Sequence, residues 1–172
     1  MKTFWKTTRP ILVVAGVAIL FLLSYFIISF FSKDHEPQAA YDVTGVMADG
    51  SSLYSLSDNY GKTGTVLVFF DIDTGKATEL LTQLHAAAPD YPVDILAVAT
   101  SKKTMEEQKR QLEELGIDFP HILFDLDGKM AETYNVHGTP VTYFIDKNGL
   151  IQDAFIASIS EKSLRKALAS LA

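Results

Sequence analysis

Asp71-Ile72-Asp73-Thr74-Gly75 puts two carboxylates and a hydroxyl where the apolar run Thr65–Phe70 gives way to a helical pattern. Strand ends that lead into helices are where α/β proteins commonly hold ligands and reacting groups. Two carboxylates so placed could serve an Asp-based, Mg²⁺-dependent phosphatase, one aspartate attacking phosphorus and the next acting as acid or base. Phe124-Asp125-Leu126-Asp127-Gly128 offers a second such pair, and this weakens the reading, because the mechanism needs one strand end together with distant lysine and acidic metal ligands. Asp73-Thr74-Gly75 is also the triplet that aspartic proteases use in pairs. With one copy, only a homodimer could bring two carboxylates together to share a proton, and a helix follows the triplet directly.

The other candidates are poorer. Gly61-Lys62-Thr63 lacks the glycine that a phosphate-cradling loop carries five positions earlier, where Leu56 stands. His35, His85, His121 and His137 show no metal-ligand spacing, and only His137 adjoins the loop Gly138-Thr139-Pro140. Thr74 has no histidine nearby in sequence to act as its base, so its hydroxyl reads as a helix cap rather than a nucleophile. Cysteine is absent, which excludes disulfides, thiol catalysis and thiolate metal sites. Neither a metal nor a cofactor is expected.

Charge and hydropathy divide the 172 residues unevenly. Ile11–Phe31 is an uncharged apolar run, long enough as a helix to cross a hydrocarbon core of about 30 Å. It exceeds the apolar stretch of a secretory signal, and no clear cleavage site follows it. Lys2, Lys6 and Arg9 precede it, so residues 1–10 are expected on the cytoplasmic side and the rest outside. The expected organisation is therefore a single-pass anchor at 11–31, a polar tether at 32–40 and one extracytoplasmic domain at 41–172. Three of the 15 basic residues but none of the 21 acidic ones precede the run's end, leaving the remainder a formal charge of about −9. Nucleic acid is excluded as a partner, because phosphate neutralisation needs the opposite balance.

The elements that would hold Asp71–Gly75 follow from periodicity. Tyr41–Tyr60 carries short β-compatible pieces around an Asp49-Gly50 turn. Thr65–Phe70 (TVLVFF) reads as a strand buried on both faces. Thr74–Ala88 sets Leu80, Leu81, Leu84 and Ala88 along one helical side, with Asp73 or Thr74 as cap and Pro89 closing it. Val93–Ala99 and Ile122–Phe124 are further strands. Between them, Thr104–Leu115 is a helix ended by Gly116. After a short helix at Lys129–Tyr134, Val141–Ile145 and Leu150–Ile156 form a hairpin in which Asn148-Gly149 suits a primed turn. A last helix starts after Ser160 and buries Leu164, Ala167, Leu168 and Leu171. The order β-β-α-β-α-β-α-β-β-α implies an α/β fold with a mixed central sheet flanked by helices.

Phe119-Pro120, Asp125–Gly128, Tyr134-Asn135-Val136, Gly138-Thr139-Pro140 and Phe144-Ile145-Asp146 before Gly149 occur in one order and spacing. This stretch resembles the C-terminal half of membrane-anchored, thioredoxin-like proteins of the TlpA/ResA type within the redoxin (AhpC/TSA-related) group. Ser55-Leu56-Ser57 and the strand at Val66–Phe70 resemble that family's lead-in to its catalytic helix, so the likeness covers Tyr41–Ala172. It implies a thioredoxin-like fold, and a proline at position 140 that is cis and faces a CxxC pair. It also implies that the backbone before that proline pairs with extended polypeptide.

An ungapped placement of Val68–Leu81 on the family pattern puts Thr74 at the first cysteine, Gly75 and Lys76 between, and Ala77 at the second. The peroxiredoxin T-x-x-C pattern would put its peroxidatic cysteine at Ala77 as well. The chain thus reads as a redox-inactive relative, with no catalytic residue, whose expected task is to bind a protein or peptide as a chaperone-like or envelope-complex component. The expected groove comprises Asp73, Thr139 and Pro140, with Thr74–Ala77 and the loop after Thr100 beside it. Two alternatives stand: a thiol-disulfide oxidoreductase whose cysteines have been replaced, and the Asp-based phosphatase.

Overall fold

The computed structural model describes residues 38–172. The expected anchor at 11–31 and the tether as far as residue 37 lie outside them. Among the described residues no helix is long and apolar enough to cross a membrane.

In chain order the strands are β1 (Thr44–Val46), β2 (Leu53–Ser55), β3 (Gly64–Phe70), β4 (Val93–Ala99), β5 (His121–Phe124), β6 (Val141–Ile145) and β7 (Ile151–Ile156). The helices are α1 (Gly75–Ala87), α2 (Met105–Glu114), α3 (Lys129–Thr133) and α4 (Glu161–Ser170). Strands β5-β4-β3-β6-β7 form one five-stranded sheet, and β1 pairs with β2 separately. β3, β4 and β5 run parallel, whereas β6 is antiparallel to both β3 and β7.

Every residue of β3 is buried, as its unbroken apolar run requires of a central strand. Its pleat sends Val66, Val68 and Phe70 into a core with Leu80, Leu81 and Leu84 of α1, Leu112 of α2 and Leu164 and Leu168 of α4. Leu67 and Phe69 face the opposite core, with Val43, Leu56, Leu123, Tyr134 and Ile145. The two parallel steps from β3 to β4 and from β4 to β5 advance in one direction, so right-handed crossovers put α1 and α2 on the same face. The chain then returns through α3, and β6 pairs on the other side of β3, with Phe69 opposite Val141. This brings the loop before β6 beside the carboxyl end of β3.

Three local expectations are corrected. α1 ends at Ala87, and Ala88, itself still helical (φ −58°, ψ −37°), opens a 3-10 turn to Asp90, because Pro89 has no N–H with which to continue the α-helical ladder. Ala87, not Ala88, therefore closes the buried stripe. The β6–β7 connection is not a primed turn, which needs positive φ at Asn148 or both central residues; of Asn148 and Gly149, only Gly149 (φ 79°) is left-handed. Gly149 N–H donates to the Asp146 carbonyl at 2.9 Å, and the Asp146 carboxylate accepts from the amides of Asn148 and Leu150. A Cβ at Gly149 would meet the Tyr60 ring at 2.7 Å, a second reason for glycine there. Finally, pairing reaches back beyond Tyr41: Ala40 N–H donates to Gly149 and Ile151 N–H to Gln38, so Gln38–Ala40 belong to the fold rather than to a tether.

Candidate functional site

Three parallel strands end at one edge of the sheet, and the residue after each is polar: Asp71 after β3, Thr100 after β4 and Asp125 after β5. All three line a cavity of about 330 Å³ with His137, Gly138 and Thr139. The carboxyl ends of parallel strands are where α/β sheets hold ligands. Much of this polarity is already committed. Thr100 Oγ1 donates to the Phe70 carbonyl at 3.0 Å. Asp125, 4% exposed, accepts from Met130 N at 3.1 Å and Ala131 N at 2.8 Å, which caps the start of α3.

The β3–α1 junction is equally occupied. Asp71 Oδ1 accepts from the Asp73 amide at 3.0 Å, and the Asp71 carbonyl accepts from Thr74 N and from Thr74 Oγ1 at 2.9 Å. Thr74 is the N-cap of α1, its hydroxyl accepting from Ala77 N at 3.4 Å. Gly75 and Lys76 are exposed on the first turn, but Ala77 is fully buried in the core. A hydroxyl bonded on both sides and a buried methyl cannot attack a disulfide or a peroxide.

Asp73 is turned to another partner. Its carboxylate pairs with the Lys103 ammonium, and Gln111 Nε2 donates to it at 3.4 Å. The Lys103 hydrogen bond, ahead of every other influence, holds the Asp73 carboxyl below the usual carboxylate range. Of the expected groove residues, Thr139 shares a cavity with Asp71, and Thr139 and Pro140 share a second one of about 490 Å³ with Val136, Tyr143 and Ile156. Asp73 lines neither. The Thr139–Pro140 bond is cis, as the resemblance implied. The Pro140 carbonyl accepts from Ala157 N at 2.8 Å, whereas the Thr139 backbone has no hydrogen-bond partner among the described residues.

For the phosphatase reading, Asp73 is held by a lysine and Asp125 by two amides, which leaves Asp71 as the one carboxylate open to the cavity. Among the described residues no group of three or more His, Cys, Asp or Glu could hold a metal ion. Sequence reasoning named the loop after Thr100 and the Asp125 pair without joining either to Asp71, and it missed Lys103. Thr100 and Asp125 carried a readable signal, each being the first polar residue after an apolar strand. Lys103 carried none, because its pairing spans 30 positions.

Residues 36–154 match the AhpC/TSA family. The chain belongs to this family. Within it, this redoxin has ResA and YneN among its relatives and lacks any cysteine. It is 28% identical to the thiol-disulfide oxidoreductase ResA of Geobacillus kaustophilus (strain HTA426) over 121 residues, 69% of this chain and 68% of that one. It is 26% identical to the thioredoxin-like protein YneN of Bacillus subtilis (strain 168) over 165 residues, covering 90% of this redoxin and 95% of YneN. The fold is also that of a DsbE-type putative thiol:disulfide interchange protein from Chlorobium tepidum, with a TM-score of 0.68 at 21% identity over 78% of this chain and 96% of that one.

Proposed function

We propose that this redoxin is a membrane-anchored, extracytoplasmic module that performs no redox chemistry and holds an extended polypeptide beside Thr139–Pro140. The observation that carries the reading is the contrast within one site. The first turn of α1 offers no nucleophile, while the Thr139 backbone lies open next to two cavities. An extended chain would pair with that backbone and place side chains in the flanking cavities, as in strand addition generally. Thr139, Pro140 and the exposed Lys76 form the surface, with Asp71 taking the place expected of Asp73. Anchoring is supported by the uncharged run Ile11–Phe31 and its basic N-terminal flank. The likeness to YneN covers more of the chain than the described residues contain, so it extends into that N-terminal part. The module's task would be chaperone-like or that of an envelope-complex component.

The test is site-specific photocrosslinking from position 76 in intact membranes. A discrete adduct that disappears in Thr139→Arg supports the groove. An adduct pattern unchanged by that substitution rejects it. A second reading, an oxidoreductase whose cysteines have been replaced, is favoured by the names of the ResA relatives and by the retained helix start, and it has its own test below.

A further inference from the structure

The two cavities beside Gly138-Thr139 lie on one face of the sheet. Val136 walls both, with Ala131 on one side and Tyr143 on the other, and all three pack against the core of Leu67 and Phe69. Gly138 and Thr139 also line both, so the open backbone runs between them.

Their chemistry is opposite. On the side of Pro140, Tyr143 and Ile156 the wall carries no acidic or basic side chain except His137. Ile156 is 80% exposed, more than any other large apolar side chain among the described residues, and it completes an apolar wall of the composition usual in binding cavities. On the other side the wall carries Asp71 and Asp125, with His137 again the one other titratable group. Asp125 is closed by the two amides of α3. Asp71 is not closed. One of its oxygens accepts from the Asp73 amide, while the other has no hydrogen-bond partner and the carboxylate no ion pair among the described residues. The neighbouring lysines do not answer it: Lys103 is on Asp73, Lys129 is on Asp127, and Lys76 and Lys102 line neither cavity. An open carboxylate in a recess favours a cation that enters it, and a long basic side chain lays its methylenes along the walls as its charge reaches the acid.

We propose that the polypeptide held at Thr139 carries a lysine or arginine that enters the Asp71 cavity and, two positions away, a large apolar side chain that enters the Ile156 cavity. This rests on the reading of Thr139–Pro140 as a groove and adds which sequences the groove selects. Side chains two apart on an extended chain project to one side about 6.5 Å from each other, which suits two cavities on one face with a single stretch of loop between them.

The probes are capped, dye-labelled nonapeptides of serine and threonine with Lys-Thr-Leu or Leu-Thr-Lys at the centre, titrated by fluorescence anisotropy against the purified full chain in detergent. The better of the two should bind about tenfold tighter than the same peptide with glutamine for lysine or with serine for leucine, amounts that a hydrogen bond to a charged group and a buried leucine supply. A peptide of equal charge and composition with lysine and leucine adjacent should bind as weakly as those controls. Asp71→Asn, which keeps the oxygen that accepts from the Asp73 amide, should erase the preference for lysine, and Ile156→Ser that for leucine, with circular dichroism confirming each fold. Binding that is lost in Thr139→Arg yet indifferent to lysine, to leucine or to their spacing overturns this inference and leaves the groove standing. A lysine preference that survives Asp71→Asn overturns it too. Binding unchanged by Thr139→Arg overturns both readings. Failure of every peptide to bind overturns the inference, and the crosslink from position 76 then judges the groove alone.

Discussion

The two sides of the candidate site have diverged in opposite ways. On the α1 side three groups are spent on structure: the Thr74 hydroxyl caps the helix, Ala77 fills the core, and Asp73 is tied to Lys103 and Gln111. On the loop side the Thr139 backbone, next to a cis proline, is spent on nothing among the described residues. Chemistry and the proposed recognition thus rest on separate parts of this fold. The first needs particular atoms at the helix start, and the second needs only a held backbone that is left unpaired.

The sharpest break in that contrast would be a gain of activity. Thr74→Cys combined with Ala77→Cys is expected to take dithiol-dependent insulin reduction from undetectable to measurable, because the helix start that lowers a thiol's pKa is intact. Residues three apart on a helix are also close enough for a disulfide. Continued inactivity of the oxidised, folded double variant would show that more than the thiols has been lost.

Next in size is a contrast in stability. Ala77→Asp buries an unpaired carboxylate in the core and is expected to cost about 3–5 kcal/mol in urea unfolding. Thr139→Arg, on the open side, should stay within about 0.5 kcal/mol while losing the crosslink. Similar losses for both would erase the distinction. A smaller effect is expected at the cap: Thr74→Ala should cost about 1 kcal/mol and Thr74→Ser much less, because serine keeps the accepting oxygen.

The smallest effect concerns pH. Asp73 titrates below its ordinary value because Lys103 bonds its charged form. Below the unfolded value of about 3.9 the unfolded chain takes up the proton first, so the pair's contribution is complete above that pH and is lost as pH falls through the lower, folded value. The difference in urea midpoint between the parent and Lys103→Met should therefore be largest near neutrality and close in acid. It should also shrink in high salt, since both side chains are substantially exposed. A difference independent of pH would assign the role of Lys103 to packing.

Much of the fold was legible because the signals were local. The unbroken run at β3, the Ser160 cap and the break at Pro89 each act within a few residues. Ala88 and the Asn148-Gly149 turn misled for the same reason, since the alternatives on either side were locally acceptable. Tertiary pairing chose between them at the hairpin, where Gly149 packs on Tyr60 and its carbonyl accepts from Ala40. The residues of the proposed groove were legible only in part. Thr139 and Pro140 stand out in a Gly-Thr-Pro motif, but whether Asp71 or Asp73 joins them depends on Lys103, which arrives from beyond β4.

By itself the sequence determined the absence of thiol chemistry, since no arrangement of this chain can place a sulfur nucleophile at α1. It also determined the strand and helix order, through apolar periodicity and caps that operate within a turn or a pleat. Only the tertiary structure decided which polar groups are already satisfied. Asp125 is closed by two amides, the Thr139 backbone is left open, and Val93–Ile95 have no strand on one side because β5 starts opposite Leu96 rather than Val93. Register and hydrogen-bond saturation are set between segments far apart in the chain, and pattern within a segment carries no record of them.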